Sequence, residues 1–229
     1  MTKGFRIVVI GLGTQGKKRK VSSGKEFVFG IDPFHSEANY RSIFEVPINL
    51  YDAAFVCTPE SEKIPIIKYL IENDKHVLCE KPLITSSIDE LKSLEESASK
   101  KRIVLYTAYN HRFEPAMVES AKIVDSGKLG KIYKIRIFYG NGTARLVKES
   151  AWRDNGMGVV SDIGSHLIDL IDFLLPNARI KYKALRAIAF ENRAYDHALM
   201  QVGTFHFDSQ AKKAPFRNSR RRVMGISPR

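Results

Sequence analysis

The stretch VVIGLGTQG, residues 8–16, constrains the fold of this chain more than any other part of its sequence. It joins an apolar run to three glycines, Gly11, Gly13 and Gly16, in the spacing G-x-G-x-x-G. After a strand, the first glycine permits a tight turn, the second lets a pyrophosphate approach the backbone, and the third allows close packing of the next helix. The stretch therefore predicts a strand, a turn and a helix that bind a dinucleotide. A glycine turn in an α/β protein that binds no cofactor is the alternative interpretation.

An acidic residue supports the dinucleotide interpretation. Asp32 follows Gly13 by nineteen residues and ends the second apolar run, EFVFGID, where a carboxylate can accept hydrogen bonds from both ribose hydroxyls. The same charge repels a 2′-phosphate, so Asp32 favours NAD over NADP as the cofactor. Thr14 and Gln15, which lie between the glycines, complete the predicted cofactor-binding turn.

Apolar runs alternate with amphipathic segments through the first half of the chain. The segments 61–74 and 87–101 have apolar residues at helical spacing, and Ser87 followed by Glu90 is a capping-box start for the second helix. Continuous apolar strands separated by such helices indicate a parallel sheet covered on both faces. The predicted strands are FRIVVIG (5–11), EFVFGID (26–32), AAFVCT (53–58), HVLCE (76–80) and RIVLYTAY (102–109).

After Pro115 the pattern changes to that of an α+β domain. The predicted elements there are helices over 115–126 and around 161–175, and strands over 131–140, 180–190 and 198–208. The fold class is therefore α/β: a Rossmann doubly wound parallel sheet followed by a truncated α+β open-sheet domain. The predicted domains are 1–114 for dinucleotide binding, 115–210 for substrate binding and oligomerisation, and 211–229 as a basic, disordered tail.

Composition excludes several classes of protein. With 229 residues, 44% of them apolar, the chain can build a real core. No apolar run approaches the roughly 18 residues that a membrane span needs, and the start is unlike a cleavable signal, so we predict a cytoplasmic protein. Cys57 and Cys79 both lie in apolar runs and are predicted to be buried reduced thiols. No metal site is predicted.

The net charge of +12 is concentrated at one end of the chain. The segment 211–229 has seven Lys or Arg residues and no Asp or Glu, which leaves +5 for the first 210 residues. This segment lacks the interleaved aromatic residues typical of single-stranded nucleic-acid sites. Nucleic acid is therefore not a predicted partner, and binding through the tail is a hypothesis that rests on charge alone.

Further motifs follow the glycine turn in order. CTPES (57–61) and CEKPL (79–83) follow predicted strands, and YNHRFEP (109–115) and WRDNGMGVVSDIGSHLIDL (152–170) come later. Together with Asp32 and the glycine turn, they resemble the glucose-fructose oxidoreductase and inositol dehydrogenase (Gfo/Idh/MocA) family over most of the chain. The resemblance implies an N-terminal Rossmann domain, a C-terminal open-faced β-sheet domain, and oxidation or reduction of sugars, polyols or sugar nucleotides with NAD or NADP.

The resemblance also implies a catalytic group of three residues. Lys81, whose bond to Pro82 is typically cis in the family, would be aimed at the nicotinamide ribose and the substrate hydroxyl and stabilise a developing alkoxide. Asp162 and His166 are four residues apart and would share one face of a helix. Since histidine suits reversible proton transfer near neutrality, His166 would accept the alcohol proton while Asp162 orients the hydroxyl or Lys81.

Other residues match family positions that line the cofactor or substrate cleft. The predicted cofactor contacts are Thr58, Pro59, Glu80, Lys81 and Asn110, and the predicted substrate contacts are Arg112, Trp152 and Arg153. Asn110 and the three substrate contacts could equally be structural. His76 and His111 are interpreted as structural or surface histidines.

Compared with the pattern of the family, we expect the second domain to be shorter than in most members. A sheet cut short leaves a free edge and an uncovered apolar face, so a homo-oligomer is predicted if the sheet is completed. The short domain also leaves an alternative function open: a non-catalytic regulatory protein that senses a nucleotide and binds another protein, or an inactive truncated family member.

Overall fold

The structure is a computed structural model that describes residues 4–85, 87–140, 144–149, 154–176, 180–204 and 225–226. These residues fall into two compact units, the first drawn from Met1–Ala108 and Phe216–Arg229 and the second from Tyr109–Pro215. Among the described helices, none is long and apolar enough to cross a lipid bilayer. Apart from residues 225–226, the predicted basic tail lies outside the described residues.

Strands and helices are numbered in chain order. The strands are β1 (Ile7–Ile10), β2 (Phe27–Ile31), β3 (Ala53–Val56), β4 (His76–Cys79), β5 (Leu83–Ile84), β6 (Leu105–Thr107), β7 (Ile180–Ile188), β8 (His197–Thr204) and β9 (Gly225–Ile226). The helices are α1 (Thr14–Ser23), α2 (Glu60–Glu72), α3 (Ile88–Lys100), α4 (Pro115–Asp125), α5 (Ala144–Lys148), α6 (Val159–Asp162) and α7 (Gly164–Leu174).

The first unit contains a five-stranded parallel sheet in the order β2-β1-β3-β4-β6. All four residues of β1 are buried, which requires cover on both faces because successive side chains of a strand point to opposite faces. The strand order reverses between β1 and β3, and doubly wound sheets bind ligands at such a point, beyond the carboxyl ends of the strands. The predicted Rossmann fold is confirmed, and the glycine turn and Thr58 both lie at this point.

Helices α2 and α3 begin and pack as their sequences predict. The Ser87 hydroxyl oxygen accepts a hydrogen bond of 3.2 Å from the Glu90 N–H, which starts α3. The buried side chains of α2 recur at helical spacing and include Ile67 and Leu70, which have no exposed surface. Beyond the sheet, β5 pairs in parallel with β9.

The second unit contains helices α4 to α7 and an antiparallel pair of strands. β7 and β8 pair along most of their length, with Leu185 opposite Met200 and Arg186 opposite Leu199. Leu185 and Leu199 are 47% and 66% exposed. The α+β composition of this unit agrees with the prediction for the second half of the chain.

The predicted strand over residues 131–140 is wrong. This segment has no regular secondary structure, and Tyr133 and Phe138 within it are 85% and 94% exposed. Its alternating pattern is typical of a strand with one wet face, but a strand needs a neighbour to bond its backbone groups. The described strands of this unit, β7 and β8, bond to each other instead.

The predicted helix over residues 161–175 is interrupted. Asp162 is the last residue of α6, Ile163 separates the helices, and α7 begins at Gly164. The Ser165 hydroxyl donates a hydrogen bond of 3.2 Å to the carbonyl oxygen of Asp162, and a side-chain bond of this kind competes with the helical pattern. Asp162 and His166 therefore do not share one continuous helix.

Candidate active site

The glycine turn connects the carboxyl end of β1 to the start of α1. Gly11 has φ +87°, in the left-handed region, and donates a hydrogen bond of 2.8 Å to the carbonyl oxygen of Ile31. A Cβ on Gly16 would lie 1.8 Å from the Gly11 carbonyl oxygen, so only glycine lets α1 begin this close to the turn. By contrast, a Cβ on Gly13 would meet no atom within 4 Å. The first and third glycines are tightly packed, and the second faces open space.

The N-terminus of α1 opens onto that space. Gly13 caps the helix without a side chain, and the first turn has no acidic residue. Thr14 and Gln15 are exposed there. The first N–H groups of a helix lack intrahelical partners and carry a partial positive charge, so this end suits an anion such as a pyrophosphate.

Asp32 lies at the end of β2, and its carboxylate already binds the glycine turn and the loop that follows β2. Backbone N–H groups donate to it from Leu12 at 2.8 Å, Phe34 at 2.9 Å and His35 at 2.9 Å. Burial raises the pKa of Asp32, but the three N–H groups lower it by more, so its pKa lies below the ordinary value. Because a carboxylate offers about four lone-pair positions, about one remains, on Oδ2, for a ribose hydroxyl.

Threonine hydroxyls at the ends of two strands have unused hydrogen-bonding capacity. Thr58 follows β3 and Thr107 ends β6, and the hydroxyl oxygen of each is buried without a hydrogen-bond partner among the described residues. Buried polar atoms of this kind call for a ligand or a water. Pro59, the next residue after Thr58, caps the start of α2.

Glu80 is held by the first helix. It follows β4, and Oε1 of its carboxylate accepts hydrogen bonds of 2.6 Å from the guanidinium of Arg19 in α1. The side chains are 13% and 28% exposed. α1 buries only Gly16 and Ser23, so this ion pair contributes to holding the helix on the sheet. Sequence reasoning assigned no role to Arg19.

Lys81 emerges at the carboxyl edge of the sheet. It is half-buried, and the Lys81–Pro82 peptide bond is cis, as the resemblance implied. The ammonium of Lys63, a buried residue of α2, donates to the carbonyl oxygens of Glu80 and Pro82. Sequence reasoning missed Lys63, although its spacing from Ile66 and Ile67 places it on the apolar stripe of α2.

Both cysteines are free thiols, and Cys79 is buried. Burial raises the pKa of each to about 12. A thiol with so high a pKa is a poor nucleophile at neutral pH. Neither the two cysteines nor any cluster of at least three His, Cys, Asp or Glu residues in the described part of the chain offers a metal site.

His166 lies in a small aromatic cluster of the second unit. The residue is 7% exposed, and its ring centre lies 5.7 Å from that of Tyr109 and 4.5 Å from that of His111. Nδ1 of His111 lies 2.5 Å from Oε1 of Glu114. The interpretation of His111 as a structural or surface histidine did not include this contact, whose signal is the spacing of His111 and Glu114, three residues apart in one turn.

Arg112 is bound within the second unit. Its guanidinium forms a two-pronged pair with the carboxylate of Asp169 in α7, with Nε 2.8 Å from Oδ2, and it lies over the ring of Phe173. The side chains of Arg112 and Asp169 are 12% and 3% exposed. Burial raises the pKa of Asp169, and the guanidinium opposes that rise. This pair joins the turn Asn110–Phe113 to α7, which is the structural alternative to substrate binding.

Replacing Asp169 with alanine is expected to lower the free energy of unfolding of the second unit by about 3–5 kcal/mol, because Arg112 is left as an uncompensated buried charge. Urea denaturation followed by circular dichroism measures this loss. Asp125→Ala, which removes an exposed carboxylate from α4, is the matched control and should change stability by less than about 0.5 kcal/mol. If the two variants were equally stable, Asp169 would not have the predicted structural role of compensating the buried charge of Arg112.

Three of the predicted cofactor and substrate contacts remain. Asn110 is exposed in the turn Asn110–Phe113. Trp152 and Arg153 lie outside the described residues.

Models of protein families match the chain in two places. A model described as an oxidoreductase family with an NAD-binding Rossmann fold matches residues 22–109. A second, described as the GFO/IDH/MocA C-terminal domain, matches residues 117–220. The two matches follow one another and together span most of the chain.

Several of the curated proteins with similar sequences are named as dehydrogenases. The chain is 31% identical to levoglucosan dehydrogenase from Pseudarthrobacter phenanthrenivorans over 153 residues, which cover 64% of this chain and 38% of that protein. It is 25% identical to inositol 2-dehydrogenase from Rhizobium meliloti over 179 residues, or 78% of this chain and 53% of that protein. The chain thus spans well under two thirds of the length of these relatives.

Solved structures share the fold. An inositol dehydrogenase homolog from Azotobacter vinelandii, complexed with NADH and myo-inositol, has a TM-score of 0.70 and 23% identity, over 89% of this chain and 62% of its own. The WlbA dehydrogenase from Bordetella pertussis, in complex with NADH and UDP-GlcNAcA, has a TM-score of 0.71 and 17% identity, over 87% and 68%.

Proposed function

The chain belongs to the Gfo/Idh/MocA oxidoreductase family, and from this membership we propose that it transfers a hydride between NAD and a hydroxyl-bearing carbon of a sugar, polyol or sugar nucleotide. The geometry of the glycine turn carries the proposal. Gly11 and Gly16 hold the turn tightly against α1, and open space remains over Gly13. A helix N-terminus with that space in front of it fits a pyrophosphate.

The residues around the turn fit the rest of a dinucleotide. Asp32 keeps about one acceptor position for a ribose hydroxyl, and the buried hydroxyl of Thr58 lacks a partner among the described residues. Thr58 follows β3, one of the two strands at the reversal of strand order, and Asp32 follows β2, which pairs with the other, β1. Doubly wound sheets bind nucleotides beyond the carboxyl ends of the strands at such a reversal. When bound, NAD would accept the hydride that leaves the alcohol carbon.

Three residues have proposed roles in the proton transfer that accompanies hydride transfer. His166 accepts the hydroxyl proton as a general base. Lys81 donates a hydrogen bond to the alkoxide as charge develops on its oxygen. Asp162 orients the hydroxyl or the Lys81 ammonium. The C–H bonding pair leaves as hydride and the proton goes to His166, so the products are a carbonyl compound and a reduced nicotinamide.

The names of the relatives support a polyhydroxylated substrate. The similar curated proteins are named for levoglucosan and inositol, and the similar solved structures hold myo-inositol or a sugar nucleotide. We propose the same class of substrate for this chain, without choosing a member. A cytoplasmic location and a homo-oligomer stay predictions from the sequence.

The test of the proposed function is a substrate screen. The full chain is mixed with NAD and each of a panel of inositols, anhydrosugars, sugars and sugar nucleotides, and reduced nicotinamide is followed by its absorbance. We expect turnover with at least one compound that has adjacent hydroxyls. Tight binding of NADH without turnover on any compound would favour the nucleotide-sensing alternative over an enzyme.

The charge of Asp32 is proposed to set the preference for NAD. Asp32→Asn keeps the shape of the side chain but removes the charge, and we expect the ratio of the NADPH to the NADH dissociation constant to fall about tenfold. The physical reason is the lost repulsion between the carboxylate and a 2′-phosphate. Fluorescence titration of each reduced cofactor measures both constants.

Glu37→Gln is the matched control for this prediction. It removes the same charge from an exposed side chain five residues further along the same loop, where Glu37 pairs with Lys20 at 3.3 Å. The ratio should change by less than about twofold in this variant because exposed charges are screened. A ratio that is equally unaffected in Asp32→Asn would remove the reason for preferring NAD.

A further inference from the structure

A buried lysine forms hydrogen bonds with the backbone on both sides of Lys81. Lys63 lies in α2 and is 3% exposed. Its Nζ donates a hydrogen bond of 2.8 Å to the carbonyl oxygen of Glu80 and one of 2.7 Å to that of Pro82. These carbonyl groups belong to the residues immediately before and after Lys81. The same ammonium therefore bridges the segment from which the Lys81 side chain extends.

Burying the charged side chain of Lys63 costs free energy that packing alone does not require. Burial lowers the pKa of Lys63 because the charged form loses water. A methionine would fill an apolar stripe of a helix without that cost. Only a side chain with several donors can form hydrogen bonds with both carbonyl groups. These groups lie beyond the end of β4, where buried carbonyl oxygens need hydrogen-bond partners.

Glu80, the residue before Lys81, forms further hydrogen bonds with other elements. The side chain of Glu80 accepts hydrogen bonds from Arg19 in α1, and its N–H donates to the carbonyl oxygen of Val56 in β3 at 2.8 Å. The backbone carbonyl groups of Glu80 and Pro82 are held from α2 by Lys63. Two helices and a strand thus fix the orientation of the three residues centred on Lys81.

We propose that Lys63 is a positioning residue for Lys81: by holding the carbonyl groups of Glu80 and Pro82, its ammonium fixes the direction in which the Lys81 side chain leaves the sheet. The inference rests on the proposed function, in which Lys81 binds the substrate oxygen. Catalysis needs such a group held within a fraction of an ångström, and a misplacement of about 1 Å can cost about a hundredfold in rate.

The first test observes Lys81 without requiring turnover. The full chain is treated with an amine-acylating reagent, and mass spectrometry gives the acylation rate of each lysine. In Lys63→Met we expect the rate at Lys81 to rise about fivefold, and hydrogen exchange of residues 80–84 to rise about tenfold, because the segment is released. Lys63→Arg, which retains charge and several donors, should restore most of the protection.

The control and the second variant come from the same helix. Lys68→Met makes the same substitution at a lysine whose side chain is 49% exposed and paired with Glu90, and it should leave Lys81 unchanged. Lys63→Gln keeps two N–H donors without charge and serves if Lys63→Met does not fold. Unchanged acylation and exchange at 80–84 in whichever variant folds overturn the proposal, even where overall stability has fallen.

Kinetics separate this inference from the proposed function. With a compound that supports turnover, Lys63→Met should lower kcat roughly tenfold to a hundredfold, with KM and the NADH dissociation constant within about twofold. An active protein whose Lys81 is unaffected by Lys63→Met retains the proposed function and overturns the positioning role. A protein that turns over no compound loses the proposed function, while the acylation result still decides whether Lys63 positions Lys81.

Discussion

Replacing Lys81 with methionine is expected to lower kcat by about a thousandfold and to leave the dissociation constant of NADH within about threefold. The ammonium is proposed to stabilise charge that develops on the substrate oxygen only as the hydride and the proton leave. An interaction made mainly in the transition state lowers kcat when it is lost, whereas an interaction made equally with bound substrate would raise KM alone. Methionine keeps the length of the stem and removes only the charged donor.

The measurement is steady-state formation of reduced nicotinamide with the best compound of the substrate screen, beside a titration of NADH. Lys92→Met is the control, because Lys92 is an exposed lysine of α3 that pairs with Asp89 of the same helix. It should retain the kcat of the unmodified chain within about twofold. If Lys81→Met turned over as fast as this control, Lys81 would have no part in the mechanism.

Replacing His166 with alanine is expected to cost between about a hundredfold and ten-thousandfold in kcat, the range usual for a lost general base. Proton removal would then depend on water. Added imidazole should restore part of the rate in proportion to its concentration, because it can supply the missing ring in the space that the alanine leaves.

Rates with and without imidazole test this prediction, and His197→Ala provides the matched control. His197 is an exposed histidine of β8, so its removal should change kcat by less than about twofold and create no imidazole dependence. Full activity of His166→Ala would assign the proton transfer to another group. A large loss without rescue would instead indicate that His166 acts mainly through its packing against Tyr109 and His111.

The parallel sheet and the glycine turn were predictable because their signals are local. β1 is apolar throughout and all of it is buried, and the spacing of Gly11 and Gly16 reflects steric limits within one turn. The start of α3 at Ser87 follows from a hydrogen bond that spans three residues. In each case, the residues that decide the structure lie within a few positions of one another.

The wrong strand prediction and the missed contacts both depend on distant partners. The alternating segment 131–140 has the pattern of a strand, but no strand of its unit, as far as the structure describes it, bonds to its backbone. Arg112 matches a substrate-contact position of the family, and its pairing with Asp169, 57 residues away, is a contact that the sequence pattern does not reveal. Periodicity records which face of an element is apolar, but it does not record which residue that face meets.

The site was predictable in part for the same reason. Asp32 and Lys81 could be placed from the sequence because the carboxyl ends of parallel strands share one edge of a sheet. Of the three N–H groups that occupy most of the Asp32 carboxylate, one belongs to Leu12 in the glycine turn. The other two come from the loop after β2, whose course the sequence pattern does not specify. The contact of Lys63 with Glu80 and Pro82 likewise depends on how α2 packs against the end of β4.

The proposed reaction is the transfer of a hydride from an alcohol carbon to NAD. The most direct measurement uses a polyol deuterated at its hydroxyl-bearing carbons, the full chain and NAD, with mass spectrometry of the nicotinamide product. The account predicts reduced nicotinamide that carries the deuterium, formed by the unmodified chain and lost in Lys81→Met. Reduced nicotinamide without deuterium, or none from a chain that binds NADH, would contradict it.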